Sequence, residues 1–211
     1  MAGFVPAIHA FSPLPLGETW MAGPRPAMTG RAERDGIGAL CWEAAMTSAP
    51  KAALRPFLPA DVAVLAQIFQ ASIEELTGDD YSEAQRAAWG ARADDDTAFG
   101  ARLARNLTLV ATMAGSPVGF ASLRGTDHIE MLYVHPDAAG QGVGALLYDA
   151  LEKLAAARKA ARLVADVSDT AEEFFRRRGF QPQRRNSVPL GDEWLATTTM
   201  EKRLTSNDQG R

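Results

Sequence analysis

The segment Gly140-Gln141-Gly142-Val143-Gly144-Ala145 places three glycines at alternate positions where an apolar helical pattern begins. Glycine lets backbone N–H groups converge without a Cβ in the way, and a helix N-terminus adds partial positive charge. Together they form a cradle for a pyrophosphate. Just upstream, His128–Val134 reads as a strand that ends at Pro136. It carries two side chains able to accept a proton, His128 and Glu130. Period-2 alternation sets His128, Glu130, Leu132 and Val134 on one face of that strand, unless a bulge intervenes.

Two cofactor classes use such a cradle. Gly140-x-Gly142-x-x-Ala145 formally satisfies the dinucleotide fingerprint, with Asp166 at a suitable distance downstream. Against that reading, five residues, His135 to Ala139, separate strand from first glycine. The preceding strands also read as a meander, and too little chain follows to complete a doubly wound sheet.

The elements around these residues follow from their patterns. Leu54 to Phe57 reads as a strand, and Asp61 is expected to cap a helix whose Val62, Leu65, Phe69, Ile73 and Leu76 share one stripe. Two polar helices follow, near Glu83–Trp89 and Thr97–Asn106. Thr108–Ala114, Val118–Arg124 and His128–Val134 form an antiparallel meander. The glycine loop then opens a helix carrying Leu147, Leu151 and Leu154. Leu163–Ser168 is a strand and Thr170–Arg178 a helix, with Asp169 expected to cap it and Gly179 to close it. Phe180–Arg185 and Leu195–Arg203 are the last strands, with a turn at Pro189–Asp192. The order βααα-βββ-αβ-αββ gives an α/β protein with a mixed sheet and helices on its faces.

Composition bounds the function. The chain of 211 residues is 46% hydrophobic and 23% charged, with a net charge of −4, which argues against nucleic acid as a partner. No apolar run approaches the roughly 18 residues of a membrane span. One cysteine, Cys41, and three histidines (His9, His128, His135) leave no multi-ligand metal site. With no signal-peptide pattern, the expected location is cytoplasmic. Residues 1–50 hold six of the twelve prolines and lack periodicity, so they read as a disordered or non-native extension, with Met46 a natural start. The domain is expected over 51–205, and 206–211 as a flexible tail.

The segment Leu132-Tyr133-Val134-His135-Pro136, followed by Gly140-Gln141-Gly142-Val143-Gly144-Ala145, resembles the cofactor motif of the GNAT superfamily of acyl-CoA N-acyltransferases. Phe174-Phe175-Arg176-Arg177-Arg178-Gly179-Phe180 is similar to that family's aromatic-x-x-x-Gly-Phe landmark, and the ending Met200-Glu201-Lys202 recurs in it. The resemblance covers roughly Ala52–Leu204. Tyr81–Trp89 is similar to a helix of a bacterial group of uncertain substrate.

The resemblance implies a GNAT fold whose central sheet splays between His128–Val134 and Leu163–Ser168. It also implies acetyl-CoA as cosubstrate. The pantetheine arm would run along Leu132, Tyr133 and Val134, pairing with the backbone of Leu132 and Val134. The N–H groups of Gly140, Gln141, Gly142, Val143, Gly144 and Ala145 would hold the pyrophosphate. Ala139 stands where the family usually has Arg or Gln. Ser168 corresponds to a position that contacts CoA in many relatives. Phe175 stands where many relatives have a tyrosine that protonates the departing thiolate.

An alkylamine with a pKa near 10 is protonated at neutral pH, and freeing it costs roughly 4 kcal/mol, so a general base is expected. Glu130 matches the carboxylate that is the base in several GNAT enzymes, and His128 has a suitable intrinsic pKa. Asp166 is a third candidate. Tyr81, Trp89 and Trp194 could wall an acceptor pocket or simply be core. The arginines Arg176, Arg177, Arg178, Arg184 and Arg185 could meet the nucleotide or form a solvated helix face. Acidic residues Glu74, Glu75, Asp79, Asp80 and Asp94 to Asp96 hint at a cationic amine. The expected activity is acetyl transfer to a small-molecule or peptide amine by a monomer or homodimer. The alternatives are a non-catalytic acyl-CoA-binding module and a dinucleotide-binding oxidoreductase.

Overall fold

The structure, a computed structural model, describes residues 51–204. The expectations for residues 1–50, including Cys41 and the Met46 start, and for the 206–211 tail lie outside the described residues. The element order is β1 (Ala53–Pro56), α1 (Val62–Leu76), α2 (Glu83–Gly90), α3 (Asp96–Arg105), β2 (Leu107–Met113), β3 (Ser116–Arg124) and β4 (His128–Val134). There follow α4 (Val143–Ala157), β5 (Arg162–Ser168), α5 (Asp169–Arg177), β6 (Gln181–Leu190) and β7 (Glu193–Arg203). This is the order read from sequence, with the last hairpin longer than expected and turning at Gly191, whose φ is 62°.

The strands form one sheet in the order β1-β2-β3-β4-β5-β7-β6. All neighbours are antiparallel except β4 and β5. Helices α4 and α5 cover one face, where Leu132, Val134, Val143, Leu147, Leu163, Ala165, Phe175 and Met200 share a core. Helices α1, α2 and α3 cover the other, over Phe69, Trp89, Phe99, Phe120, Met131, Tyr133 and Leu195. Burial of these two apolar layers is the main drive to fold, at about 25 cal/mol per Å². Asp61 does not cap α1 with its side chain. It forms a two-pronged ion pair with Arg55 (both contacts 2.7 Å) and accepts from the Leu58 N–H, which ties β1 to the start of α1.

Two features of the sheet create the site. The parallel pairing of β4 with β5 is confined to His128↔Val164 and Ile129↔Ala165, although both strands continue beyond it. From Glu130 onward they part. The second feature is a bulge: Ser122 pairs with Met131 and Leu123 with Ile129, so Glu130 has no opposite number on β3. The expectation from strict alternation is thereby corrected. The extra residue switches the pleat, leaving Leu132 and Val134 on the α4 face while Glu130 turns toward α3.

Candidate active site

The glycine loop is built as its residues require. Gly140 (φ 74°) and Gly142 (φ 81°) occupy the left-handed region that side chains disfavour. Gly142 directly precedes α4, whose first intrahelical bond is Leu146 N–H to Gly142 O, 3.0 Å. The N–H groups of Val143, Gly144 and Ala145 therefore lie in the first turn, where no helical carbonyl can receive them. The Gln141 N–H donates to Ala138 O (3.3 Å) and its side chain to Asp137 O (2.7 Å), so Gln141 shapes the loop. His135 does likewise, its Nδ1 accepting from the Asp137 N–H. On β3, a Cβ at Gly119 would stand 2.9 Å from Tyr133 O and 3.3 Å from Val143 and Leu147. The missing side chain is what lets α4 seat its N-terminus against the sheet.

A cleft of about 270 Å³ opens here, lined by Val134, the loop from Ala138 to Ala145, and Phe174, Arg177 and Arg178 of α5. Arg177 and Arg178 belong to the arginine cluster read from sequence as meeting the nucleotide or forming a solvated helix face, whereas Phe174 entered only as part of the aromatic landmark. Helical geometry held the signal. Ala171 and Phe175 lie four apart on the stripe that faces the core, which turns Phe174 and Arg178, also four apart, toward the loop. Arg178 lies over the rings of Tyr148 (4.9 Å) and Phe174 (5.0 Å) and pairs with Asp149. Arg177 pairs with Glu173 at 2.8 Å. Phe175 is fully buried beside Phe180 (ring centroids 4.8 Å), Phe174 and Tyr148.

Ser168 is buried and holds the N-cap position of α5, in place of the expected Asp169. The Asp169 carboxylate instead pairs with Arg185, and its N–H donates to the Tyr81 hydroxyl at 2.9 Å. That hydroxyl donates in turn to Ala196 O, 2.8 Å. Burial pushes the Tyr81 phenol far above its ordinary range, so it remains protonated. Tyr81 thus ties the start of α5 to β7. Trp89 is fully buried against Tyr81, whereas Trp194 is largely exposed. Several acidic residues have structural roles: Asp80 binds Thr170, Glu74 pairs with Arg86, Asp94 accepts from Gln70, and Asp95 caps α3.

Where β4 leaves β5, three polar side chains gather on the α1–α3 side. Glu130 is 5% exposed, with one oxygen bound by Arg102 Nε (3.2 Å) and the other by the Asn106 amide. His128 is half-buried, and its Nε2 lies 3.9 Å from Asp166 Oδ2. Burial first, and then the Arg124 guanidinium, hold the imidazole below its usual value. It is therefore neutral, with a lone pair available, at neutral pH.

A strand edge without a partner, running into a glycine-bounded helix N-terminus, is a place for an extended cofactor ending in phosphates. The family described as the acetyltransferase (GNAT) domain matches residues 77–204. The chain belongs to the GNAT acetyltransferase family. It is 31% identical over 147 residues to the uncharacterized N-acetyltransferase YafP of Escherichia coli (strain K12), covering 70% of this chain and 93% of that protein. A GCN5-related N-acetyltransferase from Rhodopseudomonas palustris, also named aminotransferase class-II, shares 60% identity and a TM-score of 0.72. That match covers 74% of this chain and 97% of the crystallised one. The PaiA N-acetyltransferase of Thermoplasma acidophilum, crystallised with coenzyme A, shares the fold at 17% identity and a TM-score of 0.62, covering 73% and 99%. With the family established, this GNAT chain is an acyltransferase by fold and sequence, not a doubly wound dinucleotide protein. Among the described residues no helix is long and apolar enough to cross a membrane.

Proposed function

We propose that this GNAT protein transfers the acetyl group of acetyl-CoA to a primary amine, on a small molecule or a peptide, by direct attack within a ternary complex. The observation that carries this reading is the parting of β4 from β5 immediately upstream of the glycine-bounded N-terminus of α4. The pantetheine amides would pair with the open edge of β4 at Leu132, Tyr133 and Val134. The pyrophosphate would sit on the Gly140–Ala145 loop, with Arg177 and Arg178 above it. Ser168 and Phe175 would bound the arm from the β5–α5 side.

Two residues would handle the acceptor's proton. Glu130 stands at the bulge with both oxygens fixed by Arg102 and Asn106, suited to draw in and orient an ammonium group and to give general-base help. His128 lies two residues earlier on the same strand. Overall, the ammonium gives up two protons as its nitrogen bonds to the thioester carbon. One reaches the departing CoA sulfur and the other reaches solvent. The experiment is a panel of primary amines with acetyl-CoA, following free thiol. Thiol release with a particular amine, and acetyl mass added to that amine, is the expected result. Tight acetyl-CoA binding without turnover on any amine would replace this reading with a non-catalytic binding module.

A further inference from the structure

We propose that Asp166 is a positioning residue for His128, and that the two form a dyad across the base of the gap in which Asp166 Oδ2 orients the buried Nε2–H and the opposite ring nitrogen, Nδ1, receives the acceptor's proton. This rests on the acetyl-transfer reading above and adds to it an assignment of the proton acceptor.

The geometry points to it from the far side of the sheet. Arg184 Nε on β6 donates to Asn186 Oδ1 (2.8 Å), and Asn186 Nδ2 donates to Thr199 Oγ1 (2.8 Å). Thr199 Oγ1 on β7 then donates to Asp166 Oδ1 (2.5 Å) on β5. Every donor in this chain is aimed at the carboxylate, and its outer end is a cation. Such a chain is not a proton wire. It fixes Asp166 in one orientation and occupies Oδ1, leaving Oδ2 toward His128 Nε2 at 3.9 Å. On the other side of that contact, His128 Nε2 is buried and has no hydrogen-bond partner among the described residues. A buried donor or acceptor without a partner is costly, so its persistence calls for a reason.

The arrangement answers that need chemically. An imidazole kept neutral by burial can accept a proton from the ammonium. The imidazolium that results then stands within ion-pair reach of an oriented carboxylate. The charged groups acting on His128 are Arg124 from β3, Asp166 from β5, Glu130 on its own strand and Asp127 in the preceding loop. Of these carboxylates, Glu130 already spends both oxygens on Arg102 and Asn106, and Asp166 alone is an ion-pair partner of His128. One ammonium proton passes to the imidazole, the freed nitrogen lone pair forms the C–N bond, the C–S bond breaks, the second nitrogen proton goes to the departing sulfur, and the imidazolium later releases its proton to solvent.

The test uses the full chain with labelled histidine, following ring Cε1 resonances by NMR against pH; the His128→Gln variant assigns the signal. Asp166→Asn should lower the His128 midpoint by at least half a pH unit. Thr199→Val, which keeps the carboxylate but removes its orienting donor, should shift it the same way by less. A midpoint unmoved in both variants overturns the dyad, and Thr199→Val decides it if Asp166→Asn fails to fold. With the amine that gives thiol release, the acid limb of kcat/KM should move down in Asp166→Asn and vanish in His128→Gln. A limb that survives His128→Gln overturns the assignment of the proton acceptor. If no amine turns over, the acetyl-transfer reading and the catalytic role of the pair both fall, while the NMR shifts independently report whether the pair exists.

Discussion

Gly142→Val separates the cradle from the rest of the fold. Gly142 has a φ of 81°, and nothing lies within 4 Å of a Cβ built on it. Valine there meets no clash within the protein, so its structural cost is backbone strain, about 1–3 kcal/mol for a side-chain-bearing residue in a disfavoured region. In a domain of this size each kcal/mol lowers the melting temperature by about 2–4 °C. Native domains have about 5–15 kcal/mol in hand, so the variant should remain folded and melt about 2–12 °C lower. The side chain would nevertheless project into a cleft of only about 270 Å³, where the backbone must approach the pyrophosphate. Acetyl-CoA affinity should fall at least 100-fold, equivalent to about 2.8 kcal/mol. Gly142→Ala is the matched control: it carries most of the strain with less bulk and should lose much less affinity. Calorimetry with acetyl-CoA and thermal melts by circular dichroism give both quantities. A folded Gly142→Val that binds acetyl-CoA as tightly as the parent would refute the placement of the cradle.

Gly119→Ala puts a Cβ 2.9 Å from the backbone oxygen of Tyr133 on β4, so β3 and β4 must shift apart; a loss of about 1–3 kcal/mol is expected in chemical denaturation. Glu130→Gln should reduce turnover at least tenfold at neutral pH, about 1.4 kcal/mol, because the amide no longer draws in and orients the ammonium group. With His128 as the proton acceptor that deficit should persist as pH rises, and a deficit that shrinks toward the amine's own pKa would return the base to Glu130. Phe175→Ala opens a cavity among Phe174, Tyr148 and Phe180 and should cost about 3–5 kcal/mol, measured by urea unfolding. Phe175→Tyr should leave turnover unchanged or raise it modestly, since acid help to a thiolate of pKa near 8.5 is worth roughly 2 kcal/mol at neutral pH. Loss of turnover with intact CoA binding in that variant would remove Phe175 from the thioester's surroundings.

Local chemistry was legible in the sequence wherever one short segment carries its own cause. The glycine loop is such a case: alternate glycines at a helix start have few uses, and two of them do take positive φ. Element order was legible for the same reason, because period-2 and period-3.6 patterns report which face each segment buries. What alternation could not show was the bulge at Glu130. A bulge is a property of two strands in register, and only the pairing of Ser122 with Met131 and Leu123 with Ile129 reveals the extra residue. It reassigns Glu130 to the α3 side, where Arg102 and Asn106, 28 and 24 residues away in sequence, fix its carboxylate. Phe174 facing the cleft and Phe175 facing the core were half-legible, since helical phase separates adjacent residues but does not say which neighbour each will meet. The approach of His128 to Asp166, and the chain through Thr199 and Asn186 behind it, joins β4, β5, β7 and β6. The sequence determined the segments and the glycine loop proposed to hold phosphate, because those depend on near neighbours. Tertiary structure alone decided which carboxylate is spent and which is left for the histidine, because strand order and register bring distant residues within reach.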